Sequence, residues 1–104
     1  MENFGYVFAT KMLVEQKLPV MFMYREKGEA EDSGWRFFSG LEDQAYVDDP
    51  SNIDIYDIDT ILAVDPSVEP YLSSLYGRAY ERDRATDPFK RVVDFDFGED
   101  LDED

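Results

Sequence analysis

Two arginines, Arg25 and Arg36, are the side chains best suited to bind a charged group, and both are predicted at strand ends. A guanidinium matches a carboxylate or a phosphate with two parallel hydrogen bonds. In a chain this rich in acids, such an arginine most often forms an ion pair within the fold. A clamp for a ligand carboxylate or phosphate, built from Arg25, Arg36 and nearby acids, is the alternative.

The sequence contains no histidine and no cysteine, which restricts the chemistry open to an enzyme. The commonest general base is missing, as are thiol nucleophiles and disulfides. Glu42 and Asp43 lack the apolar sequence neighbours that acid–base work by paired carboxylates requires. The acidic run that begins at Asp48 has neither the central glycine nor the closing glutamate of a calcium-binding loop. An enzyme would depend on carboxylates, lysine or tyrosine, and no cofactor is indicated.

The charge balance is strongly acidic, with 25 acidic against 10 basic residues and a formal net charge of −15. Such a surface repels nucleic acid and anionic lipid, and it attracts basic proteins. The N-terminal residues do not resemble a signal peptide, and no run reaches the roughly 18 to 20 apolar residues of a membrane span. We expect a soluble, cytoplasmic protein with a protein partner, and neither nucleic acid nor a membrane as its ligand.

The stretch DSGWRFFSG at 32–40 holds the only tryptophan. In a strand, Trp35 and Phe37 point to one side while Arg36 and Phe38 point to the other. Tryptophan and arginine are enriched in binding hot spots, which would suit an exposed aromatic face. Large rings also bury much area in a core. The alternation favours the core for Trp35 and Phe37.

Strands are predicted where residues alternate or are continuously apolar, at 5–10, 20–24, 35–39, 52–56, 75–82 and 89–97. The run at 20–24 is apolar on both faces, which is typical of an interior strand covered on two sides.

Helical spacing predicts a short helix at 11–17, capped by Thr10, and a second that begins at Asp57 and breaks at 65–66. Further helical turns are expected at 41–49, with Leu41, Ala45 and Tyr46 facing inward, and after a cap at Ser67.

This order of short strands and helices predicts an α+β fold with a mixed or mostly antiparallel sheet and several short helices. No linker divides the chain, so we expect a single domain at 1–97. The acidic run at 98–104 predicts a disordered tail.

Several motifs in order resemble a known bacterial family: MYRE at 23–26, DSGWRFFSG at 32–40, DDPSNIDIYDIDTI at 48–61, DPS at 65–67, PYL at 70–72 and YERD at 80–83. The family is the thirty-third group assigned to the immunity proteins of polymorphic toxin systems, and it was formerly a domain of unknown function. The resemblance covers roughly positions 5 to 83.

The resemblance implies a bacterial, cytoplasmic, non-enzymatic protein that binds and neutralises a cognate toxin. It carries no catalytic residues over. The residues of the shared motif, which we assign to folding, are Tyr24, Arg25, Glu26, Gly34, Trp35, Arg36, Phe37, Phe38 and Gly40.

Candidate toxin-binding residues are the acids of the two loops that flank the aromatic strand: Glu29, Glu31, Asp32, Glu42, Asp43, Asp48 and Asp49. An acidic surface would speed the capture of a basic toxin. A small-ligand-binding domain that uses Arg25 and Arg36, and a regulatory adaptor, are the alternative hypotheses.

Overall fold

Six short strands and three short α-helices make up the computed structural model, which describes residues 5–28 and 31–93. The strands are β1 (Tyr6–Thr10), β2 (Phe22–Arg25), β3 (Asp32–Phe38), β4 (Ile53–Asp57), β5 (Arg78–Glu81) and β6 (Lys90–Val92). The α-helices are α1 (Lys11–Glu15), α2 (Gln44–Asp48) and α3 (Ile58–Val64), and 3₁₀ helices span Pro50–Asn52 and Pro66–Tyr71.

All six strands belong to one sheet, in the order β4-β1-β3-β2-β5-β6. β1 and β3 run parallel, whereas the other neighbouring pairs are antiparallel. The sheet is therefore mixed, and the predicted α+β class is confirmed. β2 lies inside the sheet between β3 and β5, as its apolar sequence predicted.

One face of the sheet forms the hydrophobic core together with α1, α3 and the 3₁₀ helix Pro66–Tyr71. Trp35 and Phe37 are fully buried there, and their rings stack with centroids 5.8 Å apart. The indole N–H of Trp35 donates to the Leu72 carbonyl at 3.2 Å, so the largest core residue also satisfies its polar atom. The prediction that these two rings anchor the core is confirmed.

The buried side chain of Arg82 connects three segments that are distant in sequence. Arg82, which follows β5, donates to Asp65 Oδ2 at 2.7 Å, to the Val20 carbonyl at 2.9 Å and to the Asp87 carbonyl at 3.2 Å. Its guanidinium also lies 4.2 Å from the ring centroid of Phe89. Asp65 Oδ2 accepts the Val20 amide as well, at 2.9 Å. These contacts fix the loop between β5 and β6.

Two helical turns differ from the predictions. Leu41 is 68% exposed and Ala45 is exposed, so the expectation that they face inward is wrong; only Tyr46 is partly covered. The reason is that α2 begins at Gln44, after a loop shaped by polar contacts. The 3₁₀ helix Pro66–Tyr71 is capped by Asp65, which accepts from Ser67 N at 3.1 Å, and not by Ser67 as predicted.

The last described strand is shorter than predicted. β6 ends at Val92, and Val93 is 81% exposed. The rest of the strand predicted at 89–97, and the tail predicted at 98–104, lie outside the described residues. Within the described ranges, no helix is long and apolar enough to cross a membrane.

Candidate functional site

The second face of the sheet carries a group of half-buried aromatic side chains. We call this the aromatic face, and its residues are Tyr6, Phe8, Phe22, Tyr24, Arg36, Phe38, Ile53 and Ile55. Neighbouring rings lie at contact distance, with centroids of Phe22 and Phe38, and of Tyr24 and Phe38, 5.9 Å apart. Phe22 and Tyr24 of β2 lie on this face and are partly buried, while Met23 is fully buried on the core side.

A depression of about 320 Å³ opens on this face. Its walls are the rings of Phe8, Tyr24 and Phe38 with the side chain of Ile53, and polar groups come from Thr10, Glu26 and Arg36. Ligand pockets usually occupy about 300 to 1,000 Å³, so this volume is at the lower end of that range. It suits one side chain or a very small molecule.

Arg36 lies at the edge of the depression in a network of ion pairs. Its Nη1 and Nη2 donate to the two carboxylate oxygens of Asp32 at 2.8 and 2.7 Å, and its Nε donates to Glu26 Oε2 at 2.7 Å. The guanidinium also lies 4.4 Å from the ring centroid of Phe8. The prediction of a structural arginine–carboxylate pair is confirmed for Arg36.

The ionised forms of this network stabilise each other. Burial works against the charge on Asp32, but hydrogen bonds from Arg36 and from the Gly34 amide outweigh it and lower the Asp32 pKa. Burial likewise opposes the charge on Arg36, and the bonds to Asp32 and Glu26 raise its pKa above the ordinary value. Burial, followed by the charge of Glu26, raises the Tyr24 pKa. All three groups keep their ordinary charge at neutral pH.

Arg25 lies on the opposite side of the sheet from Arg36. Across β2 and β3, Arg25 pairs with Trp35 while Tyr24 pairs with Arg36, so the two guanidinium groups point away from each other. Arg25 donates to the backbone carbonyls of Ser33 and Ser74, each at 2.8 Å. The two arginines therefore do not form one clamp, which removes the geometry on which the small-ligand hypothesis depended.

Gly34 allows β3 to bend at the start of the arginine network. Its φ is +94°, and the pairing of β1 with β3 shifts register here. A Cβ atom at this position would lie 1.9 Å from the Glu26 carbonyl oxygen. Only glycine fits such a conformation and such a contact. Gly40, also at positive φ, follows the last residue of β3 by two positions.

Glu42, a predicted partner-binding acid, organises the loop after β3. Its carboxylate accepts from Thr10 Oγ1 at 2.5 Å, from Ser39 N and Oγ at 2.9 Å each and from Gly40 N at 3.0 Å. Burial opposes its charge, but these hydrogen bonds prevail and lower the Glu42 pKa. Thr10 also caps α1 as predicted, by accepting from Leu13 N.

The other predicted partner-binding acids lie in several places. Glu29 is outside the described residues, and Glu31 is exposed. Asp43 caps α2 by accepting from Tyr46 N at 2.8 Å, and Asp48 accepts from Gln44. Asp49 caps the 3₁₀ helix Pro50–Asn52, and hydrogen bonds from Ser51 lower its pKa. Within the described residues, no three acids come close enough to hold a metal ion.

The walls of the depression include residues that sequence reasoning did not select. These residues lie on β1 (Phe8 and Thr10) and on β4 (Ile53). The sheet order places β1 beside β3 and β4 beyond β1, and this order is not visible in the local sequence. The alternation of Tyr6 and Phe8 with the buried Val7 and Ala9 was the available signal. That pattern places aromatic rings on the side of β1 away from the core.

A profile of the immunity protein Imm33 domain matches residues 7–93. The chain belongs to this family. The match confirms the family resemblance and runs from Val7 in β1 through β6, so it includes the Arg36 network and every residue of the aromatic face except Tyr6. A search of curated proteins and a search of solved structures found no match.

Proposed function

We propose that this immunity domain neutralises a cognate bacterial toxin by binding it, acts in the cytoplasm and performs no catalysis. The observation that carries the proposal is the family match over residues 7–93. The net charge of −15 supports a basic partner, because opposite charges accelerate encounter and suppress wrong pairings.

The hydrogen bonding of the acids distinguishes those whose carboxylate oxygens are all in use from those with an oxygen left for a partner. Asp32, Glu42, Asp43 and Asp49 each accept hydrogen bonds that hold the fold. All four contribute to the acidic field. Contact of a toxin with Asp32 or Glu42 would compete with bonds that occupy both carboxylate oxygens, whereas exposed Asp43 and Asp49 each keep one oxygen for a partner. The half-exposed rings of the aromatic face are a further candidate contact, because aromatic side chains carry much of the energy at protein interfaces.

Co-expression tests the proposal. The chain is produced in a bacterial host together with the toxin-like protein encoded beside its gene, and growth and complex formation are measured. We expect growth to be rescued and the two proteins to co-purify. The complex should weaken as salt rises, since its charges are opposite. Toxicity that persists beside folded immunity domain, with no complex formed, would refute the proposal.

A small anionic ligand is the second candidate, because the depression contains a guanidinium. Against it, Arg36 already donates to Asp32, Glu26 and the Trp35 carbonyl. An anion would have to displace a carboxylate from a network of two acids and one base. Calorimetric titrations with phosphate and with acetate should show no saturable binding in the millimolar range.

A further inference from the structure

We infer that the depression on the aromatic face receives a lysine or arginine side chain of the toxin. This inference rests on the proposed function and adds the point of contact and its chemistry. The walls supply Phe8, Phe38 and Ile53, which are apolar along their length, and Glu26 stands at the polar end. A long cationic side chain has the same division, with an apolar stem and a charged head.

The local charge selects a cation over an anion or a neutral group. Around the depression, Arg36 contributes one positive charge, while Glu26, Asp32 and Glu42 contribute three negative charges, which gives −2. Glu42 belongs to this count because its carboxylate binds the Thr10 hydroxyl, and Thr10 lines the depression.

Glu26 has room to accept another donor. Its Oε2 receives the Arg36 Nε, and within the described residues no donor is assigned to its Oε1. The side chain is 35% exposed, compared with 9% for Asp32. An incoming ammonium or guanidinium group can therefore bind Glu26 without breaking the pair with Arg36.

The neighbouring sheet edge favours contact through side chains. In the edge strand β4, the Ile55 amide donates to its neighbour Asp54 Oδ1 at 2.8 Å, so this N–H is not available to an added strand. The Ile55 side chain is 50% exposed and lies opposite Phe8 in the pairing of β4 with β1. Ile55 does not itself line the depression, but it continues the apolar surface beside Phe8, where a partner would cover it.

The test introduces a competing cation at the site. Ile55→Lys and Ile53→Lys each place a lysine on the aromatic face, and Glu26→Gln removes the acceptor charge. Leu75→Lys is the matched control: Leu75 is 69% exposed, lies in the turn before β5 and does not line the depression. It changes net charge by the same amount as the isoleucine variants, so a general loss of attraction affects all three lysine variants equally.

Affinity for the toxin is measured by calorimetry for each variant, after circular dichroism has shown that it is folded. We expect Ile55→Lys, Ile53→Lys and Glu26→Gln to weaken binding by about tenfold or more, and Leu75→Lys by less than about threefold. If the wild-type domain binds and all three lysine variants lose affinity equally, the inference is overturned while the proposed function stands. If the wild-type domain does not bind, both are overturned.

A photo-cross-linking residue at position 55, with position 75 as control, identifies the occupant directly. We expect a cross-link from position 55 to a basic segment of the toxin and none from position 75. A cross-link from position 55 to residues 94–104 of the same chain, or to a second copy of the chain, in the presence of toxin would overturn the inference.

Discussion

Arg36 holds the aromatic face in place because its guanidinium joins β2 to β3. It pairs with Glu26 just beyond β2 and with Asp32 at the start of β3, and only 13% of its side chain is exposed. Removing one partner of a buried ion pair costs more than the pair contributes, since the remaining charge loses both water and partner. The carboxylates of Glu26 and Asp32 would then repel each other in a partly desolvated environment.

Replacing Arg36 by methionine should therefore lower the free energy of unfolding by about 3 kcal/mol. Arg84→Met is the matched control, because Arg84 pairs with Asp87 at 3.5 Å and its side chain is 80% exposed. We expect that control to cost less than about 1 kcal/mol. Urea unfolding of the two variants measures both values, and equal losses would contradict the structural role of Arg36.

Glu42 gives the stability a pH dependence with a definite sign. Its folded pKa is lowered, so its contribution is fully present above the ordinary value of about 4.3 and disappears as pH falls through the folded pKa. Glu42→Gln should cost about 1 to 2 kcal/mol at pH 7, and the difference from wild type should vanish in acid.

Urea unfolding between pH 7 and pH 3 measures this difference directly. Glu81→Gln serves as control, since Glu81 is exposed on β5. A gap between wild type and Glu42→Gln that stays constant over the whole pH range would show that the amide, and not the charge, accounts for the loss.

Among the strands and helices, those with a long alternating or apolar pattern were predicted well from sequence. The positions of β1, β4 and α3 follow from residue periodicity. Burial alternates along most of β1, and α3 buries Ile58 and Ile61, whereas no residue of β4 is fully buried. The prediction for the loop after β3 failed for a physical reason. Leu41 and Ala45 have helical spacing, but Glu42 binds the amides of Ser39 and Gly40 and thereby delays the helix. Periodicity does not register such polar contacts.

The bend in β3 leads to a prediction about Gly34. Gly34→Ala should lower the free energy of unfolding by more than about 3 kcal/mol, because strain at positive φ adds to a collision with the Glu26 carbonyl. Gly77→Ala is matched in backbone conformation, with φ of +88°, but has no atom within 4 Å of the added Cβ. It should cost only about 1 to 2 kcal/mol.

Thermal and urea unfolding of both alanine variants separate strain from collision. If Gly34→Ala and Gly77→Ala lost the same stability, the close approach of Gly34 to the Glu26 carbonyl would not matter. A larger loss at Gly34 supports the bend as the feature that brings Asp32 back to Arg36.

For the molecule as a whole, the net charge opposes compactness as well as attracting a partner. Raising sodium chloride from about 10 mM to 0.15 M shortens the Debye length from about 30 to 8 Å and screens the repulsion. We expect the melting temperature of the free domain to rise over this range, while its affinity for the toxin falls. A melting temperature that decreases steadily with salt would contradict the first expectation.

The sequence was less informative about the candidate site than about the fold. It identified Arg36, Glu26 and Phe38 through the shared motif, and the strand alternation placed Phe38 away from Trp35. Phe8 and Ile53 were not selected, because they reach the site through the order β4-β1-β3-β2. That order depends on long-range pairing, which local patterns do not encode.

The buried position of Arg82 also determines where a protease can act. Trypsin cleaves after arginine, and Arg84 is open to it, whereas Arg82 is held by Asp65, the Val20 carbonyl and the ring of Phe89. Native-state cleavage after Arg84 would keep Arg82 in one fragment with Asp65 and the Val20 carbonyl, while its partners Asp87 and Phe89 would lie in the other. Cleavage after Arg82 would require this junction to open, so its rate at increasing urea, followed by mass spectrometry, measures the free energy of that opening.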